Sequence, residues 1–191
     1  MSVDVGPNTG GLLQQGVAVA DKFLPRGNLV VYTLGRDEGQ STEYRARERP
    51  VYEGPLVVLV DRGSASASEI VAGAIQDWDR GLIVGQTTFG KGLVQTVLPL
   101  SSQGYLKLTT AKYYTPSGRC IHRQLNAKPT DPWGIMPDIE VKTTYEDELA
   151  LSEHFRKERI VENTHDEKAL PPPGGEPEKK EEFVDKALVR A

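Results

Sequence analysis

Cysteine is almost absent. Cys120 stands alone among 191 residues, which excludes an intrachain disulfide and any cysteine-cluster metal site. It does not fix the compartment, because secreted proteins can also lack disulfides. An excess of basic charge is missing too. Lys and Arg number 23 against 27 for Asp and Glu, a net charge of −4 with both signs interspersed. No basic patch of the kind a nucleic-acid partner requires stands out. Long apolar runs are lacking. Leu56-Val57-Val58-Leu59-Val60 is strand-sized, far short of the ~20 residues that cross a bilayer. The chain carries no basic-then-apolar targeting segment. It opens on Met1-Ser2-Val3-Asp4-Val5, which reads as the end of a core strand and therefore as part of something longer. Location is not legible from such an opening.

What is there is one core's worth of apolar residues, 38% of the chain, followed by a polar tail. Leu12, Leu13, Val17, Ala20 and Phe23 recur at helical spacing until Pro25 and Gly27. Leu29 to Leu34 reads as a strand, and the polar stretch from Gly35 to Arg49 as a hairpin or exposed loop. Leu56 to Val60 is apolar throughout, as strands buried on both faces of a parallel sheet are. A Ser/Ala-rich helix ending near Trp78 follows, then the strand Leu82-Ile83-Val84. Leu93 to Leu100 and Tyr105 to Tyr114 read as strands joined by a tight turn, and Pro137 to Val141 as a short last strand. Tyr145 to Glu158 is a charged helix, and Pro171-Pro172-Pro173-Gly174-Gly175 with its Glu/Lys run is a flexible linker.

Strand 56–60, helix 66–78 and strand 82–85 form a βαβ unit with parallel strands. The segments leaving both strands emerge on one sheet edge, where reactive groups of open α/β sheets gather. One exit delivers Ser64, Ser66 and Ser68; the other delivers Gln86 to Lys91. A serine hydroxyl becomes a good nucleophile when a neighbouring base takes its proton. A lysine is such a base only when neutral, so its pKa must fall from about 10.4 toward roughly 7–8 by desolvation. Phe89 and Leu93 are available to dry the setting, and the Gln95 amide can orient the amine without adding charge. Backbone amides at the helix start, including that of Ala67, face a developing oxyanion, and the Gly10-Gly11 turn offers a second donor. From the residues alone the three serines are nearly equivalent. Ser66 with Glu69 also reads as an S-x-x-E capping box that would occupy its hydroxyl, and Lys91 as a surface lysine in a glycine loop.

The stretch Gly63-Ser64-Ala65-Ser66-Ala67-Ser68-Glu69-Ile70, with Thr88-Phe89-Gly90-Lys91-Gly92-Leu93-Val94-Gln95, resembles the signatures of the carboxyl-terminal processing peptidases. Asp4 to Gly11, Tyr114-Thr115-Pro116-Ser117-Gly118 and Gly134-Ile135-Met136-Pro137-Asp138 match further landmarks of that family. The first loop carries Gly6 where the family has arginine and Thr9 where it has proline. The resemblance implies a serine peptidase with Ser66 as nucleophile, Lys91 as general base and Gln95 as the lysine-orienting amide. It implies an oxyanion hole of backbone amides from Ala67 and Gly10 or Gly11. It further implies an α/β fold: a ClpP/crotonase-like β/α spiral core with a parallel βαβ unit, plus a charged C-terminal helix and flexible tail. The expected organisation is a catalytic core over 1–144, N-terminally truncated and without its PDZ module, a helix over 145–161 and a Pro/Glu/Lys-rich tail over 162–191.

The implied activity is cleavage of proteins near their C-termini through an acyl-enzyme, with no cofactor and no metal. Implied partners are unfolded or extended protein C-termini, including those of membrane-associated proteins, and a second copy of the chain in a homo-oligomer. The implied location is exported, in the periplasm or cell envelope. Substrate is expected to add as a strand near Lys107 to Tyr113. Two other readings compete: a truncated, non-catalytic peptide-binding or scaffold fragment, and a crotonase-like acyl-CoA enzyme. No segment here suggests a nucleotide site, which weighs against the latter. His122 reads as a surface or edge residue, His154 and His165 as members of exposed charged segments. Asp61, Asp77 and Asp79 read as turn and helix-end residues, Trp78 and Trp133 as packing residues.

Overall fold

A computed structural model describes residues 1–36, 41–100, 104–128 and 131–159. The tail read over 162–191 lies outside the described residues. Two four-stranded sheets share the molecule. The first is all parallel: β1 (Ser2–Asp4), β4 (Val57–Val60), β5 (Leu82–Gly85) and β8 (Ile139–Glu140), in that spatial order. The second is antiparallel, with β3 (Ser41–Arg45), β2 (Leu29–Gly35), β7 (Tyr105–Tyr114) and β6 (Leu93–Pro99) side by side.

The apolar run of β4 is flanked on both sides by β1 and β5, so Val58, Leu59 and Val60 are buried as a central parallel strand requires. α1 (Leu13–Asp21) and α2 (Ala67–Asp77) pack on each other, and α2 also lies against β2 and β5. Every residue of α2 from Ala67 to Ile75 is buried. Such a helix has no solvent face along that stretch, which places Glu69 in the interior. The helices cross closely near the start of α2. A Cβ at Gly16 would stand 3.1 Å from the Cβ of Ala67. α3 (Tyr145–Arg159) starts at a box in which Thr144 N–H and Oγ1 donate to Asp147 Oδ2 at 2.8 and 2.9 Å.

The polar stretch after β2 does form a hairpin partner, β3, in antiparallel register with β2. The expected substrate edge differs from the observed sheet. Ala111 and Lys112 pair with both β2 and β6, whereas Lys107 to Thr109 pair with β6 alone, so the expected edge is covered at its Tyr113 end and has one strand neighbour at its Lys107 end among the described residues. The edge strands of the second sheet are β3 and β6.

Candidate active site

All four strands of the first sheet run the same way, so their carboxyl ends open onto one edge. Gly6 to Gly11 leave β1, Asp61 to Ser66 leave β4, Gln86 to Lys91 leave β5, and Val141 to Thr144 leave β8. Three of the four exits carry predicted site residues.

The three serines part company here. Ser64 is fully buried, and its Oγ donates to Val5 O at 2.8 Å. Ser68 is buried, and its Oγ donates to Asn8 O at 2.9 Å. Both hydroxyls hold the β1 exit loop against the helix start. Ser66 is only partly buried and has φ 58° and ψ −114°. Among the described residues only Ser66 and Asp79 combine a side chain with positive φ, and Asp79 sits just past the end of α2. A backbone so strained costs on the order of 1–3 kcal/mol and persists only where surrounding structure imposes it. It is the sharp strand-to-helix turn that presents a hydroxyl at a helix N-terminus.

Glu69 is the residue that imposes it. Its carboxylate is fully buried and accepts from four donors. Oε2 takes the N–H of Ser66 and of Lys91, each at 2.8 Å. Oε1 takes Thr88 Oγ1 at 2.6 Å and Gly90 N–H at 2.7 Å. Thr88 Oγ1 in turn accepts from Ile135 N–H at 2.8 Å. Phe89 N–H donates to Ser64 O at 3.0 Å, a second tie between the two loops. The S-x-x-E capping box is thus present, but its acid reaches across to the lysine loop as well. In the sequence Glu69 reads only as a local cap. The available signal was an acid bordering the all-apolar run Ile70-Val71-Ala72, where no solvent face exists to receive it.

The backbones of Ser66 and Lys91 are joined through the one carboxylate of Glu69. Lys91 is exposed. Phe89, expected to dry the lysine, is 58% exposed. Gln95 is also exposed and sits on β6 opposite Thr109.

The β1 exit loop presses on the Ser66 turn. Gly10 has φ +87°, and a Cβ there would fall 2.5 Å from Ala65 O, 2.7 Å from Ala67 N and 2.9 Å from Ser66 Cβ. Only glycine allows that approach. The Gly10 N–H donates to Asn8 Oδ1 at 2.9 Å. Gly11 follows it, exposed. Ala67 is the first residue of α2, so its N–H has no acceptor within the helix.

Of the other residues weighed, His122 is half buried with an unpartnered Nδ1. Trp133 carries the Arg123 guanidinium 4.3 Å from its ring. Trp78, partly exposed, donates from Nε1 to Leu29 O at 2.7 Å. Asp77 accepts from Ser117 N–H at 2.8 Å and pairs with Arg119, a helix-end role as expected. Among the described residues no group of acidic, histidine or cysteine side chains forms a metal-sized cluster, and no helix is long and apolar enough to cross a membrane.

Residues 3–141 match the model of peptidase family S41. The chain is 47% identical over 141 residues to a carboxy-terminal-processing protease of Bartonella bacilliformis, covering 73% of this chain and 30% of that one. It is 44% identical over 140 residues to a carboxyl-terminal-processing protease of a Synechocystis species, with coverage of 73% and 30%. The solved photosystem II D1 C-terminal processing protease superposes with a TM-score of 0.65 at 40% identity, over 74% of this chain and 34% of that one. That likeness gives the core the ClpP-like α/β class expected. The chain spans about 30% of the length of the curated relatives it matches.

Proposed function

The chain belongs to peptidase family S41, and from that premise we propose that it is a serine endopeptidase cutting proteins near their C-termini. Ser66 is the nucleophile and Lys91 the general base, oriented by Gln95. Lys91, neutral, accepts the Ser66 proton as Oγ attacks a peptide carbonyl. The oxyanion is held by the amides of Ala67 and Gly11, since that of Gly10 is engaged by Asn8. The lysine proton then passes to the leaving amine, and water releases the acyl-enzyme. Lys91 is exposed without substrate, so the bound peptide itself supplies the desolvation that favours the neutral amine. Substrate adds in extended form along β6, an edge strand that begins two residues after Lys91.

The observation that carries this reading is the conformation of Ser66, strained, accessible and bound through Glu69 to the loop of Lys91. The natural substrates are the ends of unfolded or membrane-associated proteins, and the site of action is the periplasm or cell envelope. The bacterial and chloroplastic processing proteases among the relatives support that setting. A second reading, a non-catalytic peptide-binding or scaffold fragment, is favoured by one observation, the exposure of Lys91.

Cleavage of an unfolded protein, with labelling by a fluorophosphonate, separates the two. Ser66→Ala and Lys91→Ala are each expected to lower cleavage by at least about a thousandfold with unchanged circular dichroism. Labelling should map to Ser66. Full activity in both variants would remove the dyad. Peptide binding with neither cleavage nor labelling would select the scaffold.

A further inference from the structure

A cavity of about 690 Å³ lies beside the lysine loop, walled in part by Thr88 and Phe89. Arg62, Arg123 and Lys142 also line it, facing a single carboxylate, Glu140. They come from three different segments: the exit of β4, the stretch after β7 and the exit of β8. Like charges so gathered repel one another unless an anion answers them. The ion pairs among the described residues are Arg45 with Glu43 and Arg119 with Asp77, and none of the three cations belongs to either.

Arg123 is held in place. Its guanidinium stacks on Trp133, and its N–H donates to Gly90 O at 2.9 Å. A Cβ at Gly90 would stand 2.9 Å from both Arg123 Cβ and Trp133 Cδ1, so this wall packs directly on the residue preceding Lys91. Stacking fixes a guanidinium in advance and leaves its N–H groups free for a carboxylate, which lowers the ordering cost of binding.

Gln86 also lines the cavity. It is more than nine-tenths buried, its Nε2 donates to Thr143 Oγ1, and its buried Oε1 has no donor among the described residues. The ligand that meets the basic wall carries a carboxylate.

We infer that this cavity is a subsite for a carboxylate of the bound peptide, supplied by its C-terminus or by an acidic side chain. Arg123, Arg62 and Lys142 take the anion. The inference deepens the peptidase reading and takes its ligand class from it.

Three labelled unstructured decapeptides test it by fluorescence anisotropy on the Ser66→Ala chain, where turnover cannot intervene. One ends in a free carboxylate, one is the same peptide amidated, and one is the amidated peptide with an internal glutamate. The free-carboxylate peptide is expected to bind about tenfold tighter than the amidated peptide at low salt, less so as salt rises. Arg123→Gln, and independently Lys142→Gln, should remove most of that advantage while leaving the amidated peptide's affinity unchanged. Recovery of the advantage by the internal glutamate would assign the site to acidic side chains; its absence would assign it to the chain terminus. Equal binding of all three, binding of none, or an advantage indifferent to both substitutions overturns the inference. Failure of the dyad would show in the cleavage assay instead, on the unsubstituted chain.

Discussion

At the scale of the residue, the site depends on backbone positions where only one side chain is tolerated. Gly10 shows this against its neighbour. A Cβ at Gly10 would collide with the backbone of Ala65 and Ala67, whereas one at Gly11 would meet nothing within 4 Å. Gly10→Ala is therefore expected to cost at least about 2 kcal/mol of stability and to abolish fluorophosphonate labelling by pushing the loop off Ser66. Gly11→Ala should cost under about 0.5 kcal/mol. Denaturant melts of the two variants check the contrast, and equal costs would contradict the packing. The serines teach a related lesson. Ser64, Ser66 and Ser68 look alike in sequence because their difference lies in φ and in partners brought from Val5 and Asn8, far away in the chain.

At the scale of the element, α2 carries an acid at its carboxyl end, where the helix dipole disfavours one. Burial alone would raise the Asp77 pKa. Hydrogen bonds from Thr115 and Ser117, with the Arg119 charge, outweigh it and leave the pKa below the usual 3.8. A carboxyl whose folded pKa lies below its unfolded one stabilises the fold above the unfolded value. That contribution disappears as pH falls through the folded value. Asp77→Asn should thus cost about 1 kcal/mol at neutral pH, with a thermal-melting difference that holds down to about pH 5 and closes below about pH 4. A difference independent of pH would show that the charge is idle. The elements themselves were largely legible. The apolar strands on either side of the Ser/Ala helix announced the parallel βαβ unit, and the observed helix, Ala67–Asp77, starts one residue later than the reading. Less legible was the pairing of β7, whose Ala111 to Tyr114 end lies against β2 while Leu106 to Leu108 lie against β6 alone. Pairing partners far apart in sequence leave no local mark.

At the scale of the whole molecule, four parallel strands deliver four loops to one edge, and that convergence makes the site. The βαβ unit predicted the meeting of two of these loops. Pro137 to Val141 reads as a strand in the sequence, but nothing local places it beside β5, so the contribution of its exit, with Lys142, was not legible. The basic wall escaped notice for a related reason, since Arg62, Arg123 and Lys142 are scattered and become a cluster only through folding. Their charge is drowned in a chain that is net acidic.

One carboxylate under this edge has a kinetic corollary. The amides of Ser66, Gly90 and Lys91 all end on Glu69, so freeing one of them strips a partner from an anion sealed from water. The three deuterons should then be lost on a common clock, in a single opening event of the kind that defines a cooperative unit. The substitution Glu69→Gln leaves one acceptor oxygen where there were two and should let the three amides exchange faster and at unequal rates. Hydrogen–deuterium exchange resolved by residue reads this directly, and three independent rates in the parent chain would mean that the Ser66 turn and the Lys91 loop open independently.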